Sequence, residues 1–153
     1  MNTATLKRTT AFDPDFRSLI TELDTDLWNR YQPYQAMYDG FNQVAGSARV
    51  VVTYQDGQPV GCGCFRPMTD AGCAEIKRMF VNPAFRGRGL ATQVLRELER
   101  WAAEEGYRIA RLETGNQQPE AIALYEKVGY GRIENYGPYV GLAASVCLEK
   151  QLA

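Results

Sequence analysis

The stretch E-I-K-R-M-F-V-N-P-A-F-R-G-R-G-L-A-T, from Glu75 to Thr92, decides how the rest of the chain is interpreted. It predicts a strand to Val81, a turn at Asn82-Pro83 and a helix opened by Arg86-Gly87-Arg88-Gly89. Glycine lacks a Cβ, so the backbone there can turn sharply and approach a ligand closely. Free N–H groups and the dipole at a helix start favour an anion, and arginine donors match phosphate geometry. The stretch therefore predicts a site for a phosphate-bearing ligand.

Composition bounds the class of protein. A chain of 153 residues is long enough for one domain whose core needs neither disulfides nor metals. Hydrophobic residues at 45% and charged residues at 23% are typical of a soluble globular protein. The net charge of −1 argues against nucleic-acid binding through bulk electrostatics. No apolar run approaches the roughly 20 residues that span a bilayer, and the first residues lack the pattern of a signal peptide. We expect a cytoplasmic protein with no nucleic-acid or membrane partner.

Cysteine and histidine usage narrows the chemistry. Cys62 and Cys64 lie two positions apart in a predicted strand and should point to one face, whereas Cys73 and Cys147 are remote. With no C-x-x-C and no histidine we expect no metal, and we expect the cysteines to be small buried hydrophobes. Missing histidine also excludes Ser-His-Asp and Cys-His nucleophilic machinery. Acid–base chemistry must use Glu, Asp, Tyr, Lys or Cys.

Periodicity and turn residues predict the remaining elements. Gly61 and Gly63 leave one face of their strand bare, so that a second segment can pack closely there. A strand, a helix and a strand follow each other from residue 73 to residue 114, which predicts a parallel strand pair. The predicted strands are 4–10, 49–54, 60–66, 73–81, 108–114, 130–134 and 145–151. The predicted helices are 13–30, 35–41, 90–106 and 119–127.

The first third of the chain carries a dense group of aromatic residues, Trp28, Tyr31, Tyr34 and Tyr38. These rings can glue two helices to the sheet, or some of them can line a pocket for an acceptor molecule. Both interpretations remain open from the sequence.

Three phosphate-binding loops compete for the decisive stretch. A P-loop needs G-x-x-x-x-G-K-[ST], which the chain lacks. A dinucleotide fingerprint needs a third Gly or Ala where Thr92 stands, although Glu113 lies near the position of a ribose-binding acid. The charges of Glu75, Lys77 and Arg78 also argue against that fingerprint, because its strand should be fully buried. A dinucleotide-binding oxidoreductase remains a minor alternative.

The third loop agrees residue by residue. Arg86-x-x-Gly89-x-Ala91 after a strand resembles the acyl-CoA loop of the GCN5-related N-acetyltransferase (GNAT) superfamily, whose pattern is Gln/Arg-x-x-Gly-x-Gly/Ala. The segment Q-P-E-A-I-A-L-Y-E-K-V-G-Y, from Gln118 to Tyr130, looks like the helix-to-strand segment of the same superfamily. One departure is Gln118, where many members carry Asn. The resemblance covers about residues 50–150.

The resemblance implies a fold. We expect an α+β protein, a single GNAT-type domain over residues 1–153. Its mixed, mostly antiparallel twisted sheet should have about seven strands with a splayed parallel pair, and about four helices. Residues 50–150 would form the acyl-CoA-binding core, and residues 1–45 would form a variable segment on the acceptor side.

The resemblance also implies how acetyl-CoA, as co-substrate, would be held. The backbone of Met79 and Val81 would pair with the pantetheine arm, and N–H groups from Gly87 onward would take the pyrophosphate. The full set of implied acetyl-CoA contacts is Met79, Phe80, Val81, Arg86, Gly87, Arg88, Gly89, Leu90, Ala91, Thr92, Gln118 and Tyr125.

Catalytic roles are implied in the same way. Tyr125 resembles the general acid of the family, a phenol that protonates the departing thiolate. Glu75 lies where the histone-acetylating branch has its glutamate base, with Glu113 or water as alternatives. Tyr38, Glu113 and Tyr136 are candidate acceptor contacts.

The sequence therefore predicts an acetyl-CoA-dependent N-acetyltransferase. It would move an acetyl group to a primary amine of a small molecule or peptide by direct attack in a ternary complex, and a homodimer is possible. A non-catalytic acyl-CoA-binding regulatory module is the alternative from a different class.

Overall fold

The secondary structure follows the chain in the predicted order. The structure is a computed structural model that describes residues 4–31 and 48–152, with side chains from residue 27 to residue 31 left out. The strands are β1 (Ala4–Thr10), β2 (Arg49–Gln55), β3 (Gln58–Pro67), β4 (Cys73–Val81), β5 (Ile109–Gly115), β6 (Gly131–Ile133) and β7 (Ser145–Gln151). The helices are α1 (Pro14–Tyr31), α2 (Leu90–Glu104) and α3 (Pro119–Lys127), with short 3₁₀ turns at Pro83–Phe85 and Gly137–Tyr139.

The strands form one seven-stranded sheet in the order β1-β2-β3-β4-β5-β7-β6. Only β4 and β5 run parallel, and every other neighbouring pair is antiparallel. The α+β class, the seven strands and the parallel pair are thus confirmed. Three of the four expected helices lie in the described residues. The fourth, at 35–41, lies outside them, as do Tyr34, Tyr38 and the side chains of Trp28 and Tyr31.

Local sequence explains where α1 begins. Pro14 stands at the first helical position, where its missing N–H costs nothing. The Asp13 carboxylate accepts hydrogen bonds from the N–H groups of Asp15 at 2.8 Å and Phe16 at 3.3 Å, which caps the helix. The Lys7 ammonium lies 2.7 Å from the same carboxylate and ties the helix start to β1.

Each face of the sheet carries its own core. The face covered by α2 and α3, called the α2 face, packs residues such as Ile76, Leu98 and Leu112. The face covered by α1, called the α1 face, packs Phe16 and Val50 among others. Both cores are buried, so the sheet is the central layer of three.

The glycines of β3 allow α2 to approach the sheet. A Cβ on Gly63 would lie 2.4 Å from Met79 Sδ and 3.0 Å from Leu98 Cδ1. The predicted close packing on this bare face is therefore confirmed. Cys62 and Cys64 point together to the α1 face, as predicted, and all four cysteines are buried and free.

A β-bulge divides β4 into two halves. Cys62 of β3 pairs with Phe80 and Cys64 pairs with Lys77, so that Gly63 alone faces two residues of β4. Arg78 occupies the left-handed region with φ of 59°. Parallel pairing with β5 stops just before the bulge, at Ile76 and Leu112. Beyond this point β4 and β5 separate.

Candidate active site

A cleft of about 400 Å³ lies where β4 and β5 separate. Its walls come from the second half of β4, the start of α2, α3 and two residues of α1, Leu23 and Asp26. Eleven of the twelve predicted acetyl-CoA contacts line it: Met79, Phe80, Val81, Arg86, Gly87, Gly89, Leu90, Ala91, Thr92, Gln118 and Tyr125. Arg88 does not, and its guanidinium carbon lies 5.2 Å from the centre of the Phe85 ring.

The loop before α2 forms an open cradle of backbone N–H groups. Gly87 and Gly89 both have φ near 80°, a conformation that L side chains rarely adopt. A Cβ at either position would meet no described atom within 4 Å, so the space in front of the helix start is open. The helical bond from Gln93 N–H to the Gly89 carbonyl is 3.1 Å, which leaves the three preceding N–H groups to face the cleft. This donor set fits a pyrophosphate.

The cleft edge of β4 offers backbone groups to an extended ligand. Asn82 donates its N–H to the Val60 carbonyl of β3 at 2.8 Å. Because bonding alternates along an antiparallel pair, Phe80 also faces β3, whereas Met79 and Val81 face the gap toward β5. The Val81 carbonyl accepts a hydrogen bond from Arg86 Nε at 2.9 Å, which anchors that side chain beside the cradle.

Tyr125 lies on α3 at the inner end of the cleft. Its side chain is 6% exposed, and its ring packs edge-to-face on Tyr130 with 5.8 Å between centroids. Its hydroxyl makes no hydrogen bond to any described residue. Burial, together with the nearby charge of Glu113, raises the pKa of Tyr125 above its ordinary value. The phenol is therefore protonated at neutral pH and can donate.

Charged and phenolic side chains gather on the α1 face beside the cleft. This group is called the α1-face polar cluster, and its members come from β3, β4, β5 and the loop between β6 and β7. They are Arg66, Glu75, Lys77, Glu113, Tyr136 and Tyr139.

Both carboxylate oxygens of Glu75 are engaged. Arg66 places Nε and Nη2 each 2.9 Å from Oε1. The Tyr136 hydroxyl donates to Oε2 at 2.8 Å. The Glu75 side chain is 5% exposed, so these bonds replace the water that it loses.

Lys77 is the second buried charge of β4. Its ammonium donates to the Tyr139 hydroxyl at 2.8 Å and lies 4.0 Å from Glu75 Oε2. Burial lowers the pKa of Lys77, and the charge of Glu75 opposes this shift.

Glu113 is the partly buried carboxyl of the cluster. It lies on β5 opposite Cys147 of β7, and the Ser145 hydroxyl hydrogen-bonds to it. Burial raises the pKa of Glu113 to about 7, although the Ser145 bond and the charge of Lys77 oppose the shift. A carboxyl with this pKa exchanges protons readily at neutral pH.

The structure brings most predicted site residues together. Glu113 and Tyr136 join Glu75 in the α1-face polar cluster, while Tyr38 lies outside the described residues. Sequence reasoning missed Arg66, Lys77 and Tyr139 as members. The sequence did carry one signal for such a cluster, because Glu75 and Lys77 stand at alternate positions of an otherwise mostly apolar strand and buried charges need partners. The expectation that a strand with these charges is not fully buried is wrong for Glu75 and Lys77, because each finds partners on the α1 face.

None of the described helices is both long and apolar enough to cross a bilayer. Among residues 4–31 and 48–152, no group of three or more His, Cys, Asp or Glu side chains could hold a metal ion.

Comparisons with known proteins agree with this geometry. Residues 13–130 match the Acetyltransferase (GNAT) family. The chain is 34% identical to an IAA acetyltransferase of Azospirillum brasilense, over 99% of this chain and 100% of that one. It is also 37% identical to the N-acetyltransferase YjgM of Escherichia coli, which is described as uncharacterized, over 74% of this chain and 64% of that one.

Solved structures share the fold. A protein of Klebsiella pneumoniae, provisionally described as an acyl-CoA N-acyltransferase, superposes with a TM-score of 0.82 at 30% identity and 99% coverage of both chains. The PaiA N-acetyltransferase of Thermoplasma acidophilum, solved with coenzyme A, has a TM-score of 0.71 at 15% identity, over 96% of this chain and 99% of that one.

Proposed function

Because the chain belongs to the GNAT family of acetyltransferases, we propose that it moves the acetyl group of acetyl-CoA to a primary amine of a small molecule or peptide. Transfer would occur by direct attack of the amine within a ternary complex. One observation carries this proposal: the open N–H cradle and the protonated phenol of Tyr125 line the same cleft.

The cleft residues fit acetyl-CoA as a substrate. N–H groups of Leu90, Ala91 and Thr92, with the Arg86 guanidinium, would bind the pyrophosphate. Backbone groups of Met79 and Val81 at the edge of β4 would hold the pantetheine arm. When bound, the thioester supplies an activated acetyl group next to Tyr125.

Tyr125 is proposed as the general acid. Tyr125 lines the cleft, and its raised pKa keeps the proton on the phenol until a strongly basic thiolate develops. The hydroxyl is not engaged by a described side chain, so its proton is available to the departing sulfur.

Glu113 is the candidate base that the geometry favours over Glu75. Both carboxyls lie on the α1 face in the polar cluster beside the cleft, on the opposite side of the sheet from the apolar core of α2 and α3. Glu75 has both oxygens bonded to protein side chains, whereas the pKa of Glu113, about 7, suits removal of a proton from an ammonium.

An acceptor screen tests the proposed function. We would incubate the protein with acetyl-CoA and a panel containing spermidine, tyramine, trialanine and IAA, which appears in the name of the Azospirillum relative. We expect thiol release with at least one amine of the panel. Acetyl-CoA binding in calorimetry without transfer to any amine would instead favour a non-catalytic acyl-CoA-binding module.

The base assignment has its own test. Glu113→Gln should lower kcat/KM for the amine by ~10²-fold and remove the acidic limb of the pH–rate profile near pH 7. Activity should rise with pH in the wild type, because the deprotonated form of Glu113 is the active one. A limb that survives in Glu113→Gln would assign the proton to another group or to water.

A further inference from the structure

We propose that Glu75 is a positioning residue for transfer. It holds the loop of residues 134–144 against the α1 face through Tyr136 and does not itself take the proton of the amine. The proposal deepens the proposed function, because it assigns a role on the acceptor side of the same site.

The contacts of Glu75 match an anchor. The guanidinium of Arg66 and the hydroxyl of Tyr136 hold opposite oxygens of its carboxylate at 2.9 and 2.8 Å. A side chain that is 5% exposed and bonded on both carboxylate oxygens has no side open to an arriving ammonium. The same contacts fix the position of the Tyr136 ring.

The loop of residues 134–144 is a compact unit. Asn135 Nδ2 donates to the carbonyls of Tyr139 at 3.0 Å and Leu142 at 3.1 Å. The rings of Tyr136 and Tyr139 meet edge-to-face at 5.6 Å, around a 3₁₀ turn. Because the loop is tied within itself, it moves as one body if its contacts with the sheet are lost.

Two side chains of β4 hold that body. Glu75 and Lys77 lie at alternate positions on one face of the strand. Tyr136 is hydrogen-bonded to Glu75, and Tyr139 is hydrogen-bonded to Lys77. Each pair joins residues about sixty positions apart in the chain, 61 for the first and 62 for the second. The loop thus covers the polar cluster beside Glu113.

Removing the anchor should loosen the wall of the acceptor site. The groups that face Glu75 are Arg66 from β3, Lys77 from β4, Glu113 from β5, and Tyr136 and Tyr139 from the loop. None of these contacts involves the N–H cradle. Acceptor binding should therefore change while acetyl-CoA affinity stays the same.

Hydrogen exchange of the free protein, read by mass spectrometry, is the first test. Tyr136→Phe and Glu75→Ala should raise amide exchange in residues 134–144 by ~10-fold. Glu75→Gln should raise it less, because the amide oxygen can still accept the Tyr136 hydroxyl. Tyr54→Phe is the matched control, since it removes a similar bond of 2.7 Å to Asp15 on α1. Unchanged exchange in Tyr136→Phe would overturn the anchor.

Kinetics with the panel amine that is acetylated fastest is the second test. For Tyr136→Phe we expect KM for the amine to rise ~10-fold, and for Glu75→Gln we expect a smaller rise because its amide oxygen can still accept the Tyr136 hydroxyl. In both variants kcat should stay within about threefold and the acidic limb near pH 7 should be retained. The KM of the double variant should be no higher than that of the more impaired single variant, because both changes break the same bond. A ~10²-fold loss of kcat in Glu75→Gln, with a lost acidic limb and normal Tyr136→Phe, would make Glu75 the base.

The two tests separate this proposal from the proposed function. If no panel amine is acetylated, the proposed function fails. Hydrogen exchange still decides whether Glu75 holds the loop. If Glu75→Ala does not fold, Tyr136→Phe breaks the same bond without leaving a buried charge unpaired.

Discussion

The acyl-CoA cleft and the α1-face polar cluster lie on either side of one gap in the sheet, yet they are built differently. The cleft uses backbone groups within one short stretch, from the edge of β4 to the first turn of α2. The cluster uses side chains from four separate elements, each dependent on the others for its hydrogen bonds. A site built from backbone resists substitution except where a side chain fills it, whereas a site built from side chains can change its ligand by small replacements.

Filling the cradle should break the cleft outright. We expect Gly89→Val to weaken acetyl-CoA binding by at least ~10³-fold in calorimetry, because the new side chain would occupy the phosphate position. Gly72→Val is the matched control, since Gly72 has φ of 79° and the same open surroundings but lies in the turn before β4. If both variants bind acetyl-CoA alike, the cradle does not hold it.

Removing the phenol should separate binding from chemistry. Tyr125→Phe should lower kcat by ~10²-fold and leave the Kd for acetyl-CoA nearly unchanged, because only the proton donor is lost. Tyr130→Phe deletes the neighbouring hydroxyl, which donates to Glu99 at 2.8 Å, and serves as the control for packing and stability. Equal turnover in Tyr125→Phe and the wild type would remove the acid role.

Ionisation of Glu113 should lower the free energy of unfolding as pH rises. Its folded pKa, about 7, lies above the ordinary value of 4.5, so its contribution to stability is lost as pH rises through 7. Between pH 5 and pH 8 the free energy of unfolding should fall by about 2 kcal/mol more in the wild type than in Glu113→Gln. Urea denaturation at both pH values measures this. If the free energy of unfolding changes equally with pH in the wild type and in Glu113→Gln, burial does not raise the pKa of Glu113.

The smallest effect concerns the contact of α2 with the sheet. Gly63→Ala should lower the free energy of unfolding by about 1–2 kcal/mol, because its Cβ would meet Met79 and Leu98. Since Met79 also lines the cleft, acetyl-CoA affinity should fall slightly as well. Gly131→Ala, with no described atom within 4 Å, should change neither. Thermal unfolding and calorimetry of the pair check both expectations.

The same contrast explains what could be predicted from the sequence. Local patterns define the strand at Cys73–Val81 and the helix at Pro119–Lys127 with their observed bounds, because turn residues and periodicity act over a few positions. The resemblance depended on such local motifs, and the family is confirmed. The residue roles that it implied stay predictions.

The polar cluster could not be predicted in the same way. The bond between Tyr136 and Glu75 joins residues 61 positions apart, and it depends on a strand order that periodicity does not specify. The bulge in β4 was equally hidden. Arg78 rather than glycine takes the left-handed conformation there, so no residue type marked it.

That bulge makes the number of residues in β4 matter more than their identity. Before the bulge, Glu75 and Lys77 lie on the α1 face. After it Phe80 lies on the same face, although it comes three positions after Lys77 and simple alternation would place it on the other face. Deleting one of the two residues between Lys77 and Phe80 would restore simple alternation and leave Phe80 opposite Cys62 on the α1 face. It would remove the extra residue, and with it the local bend of the strand, at the point where β4 leaves β5. Each half of β4 can therefore accept substitutions, whereas the number of residues between the halves shapes the opening in which the cleft lies.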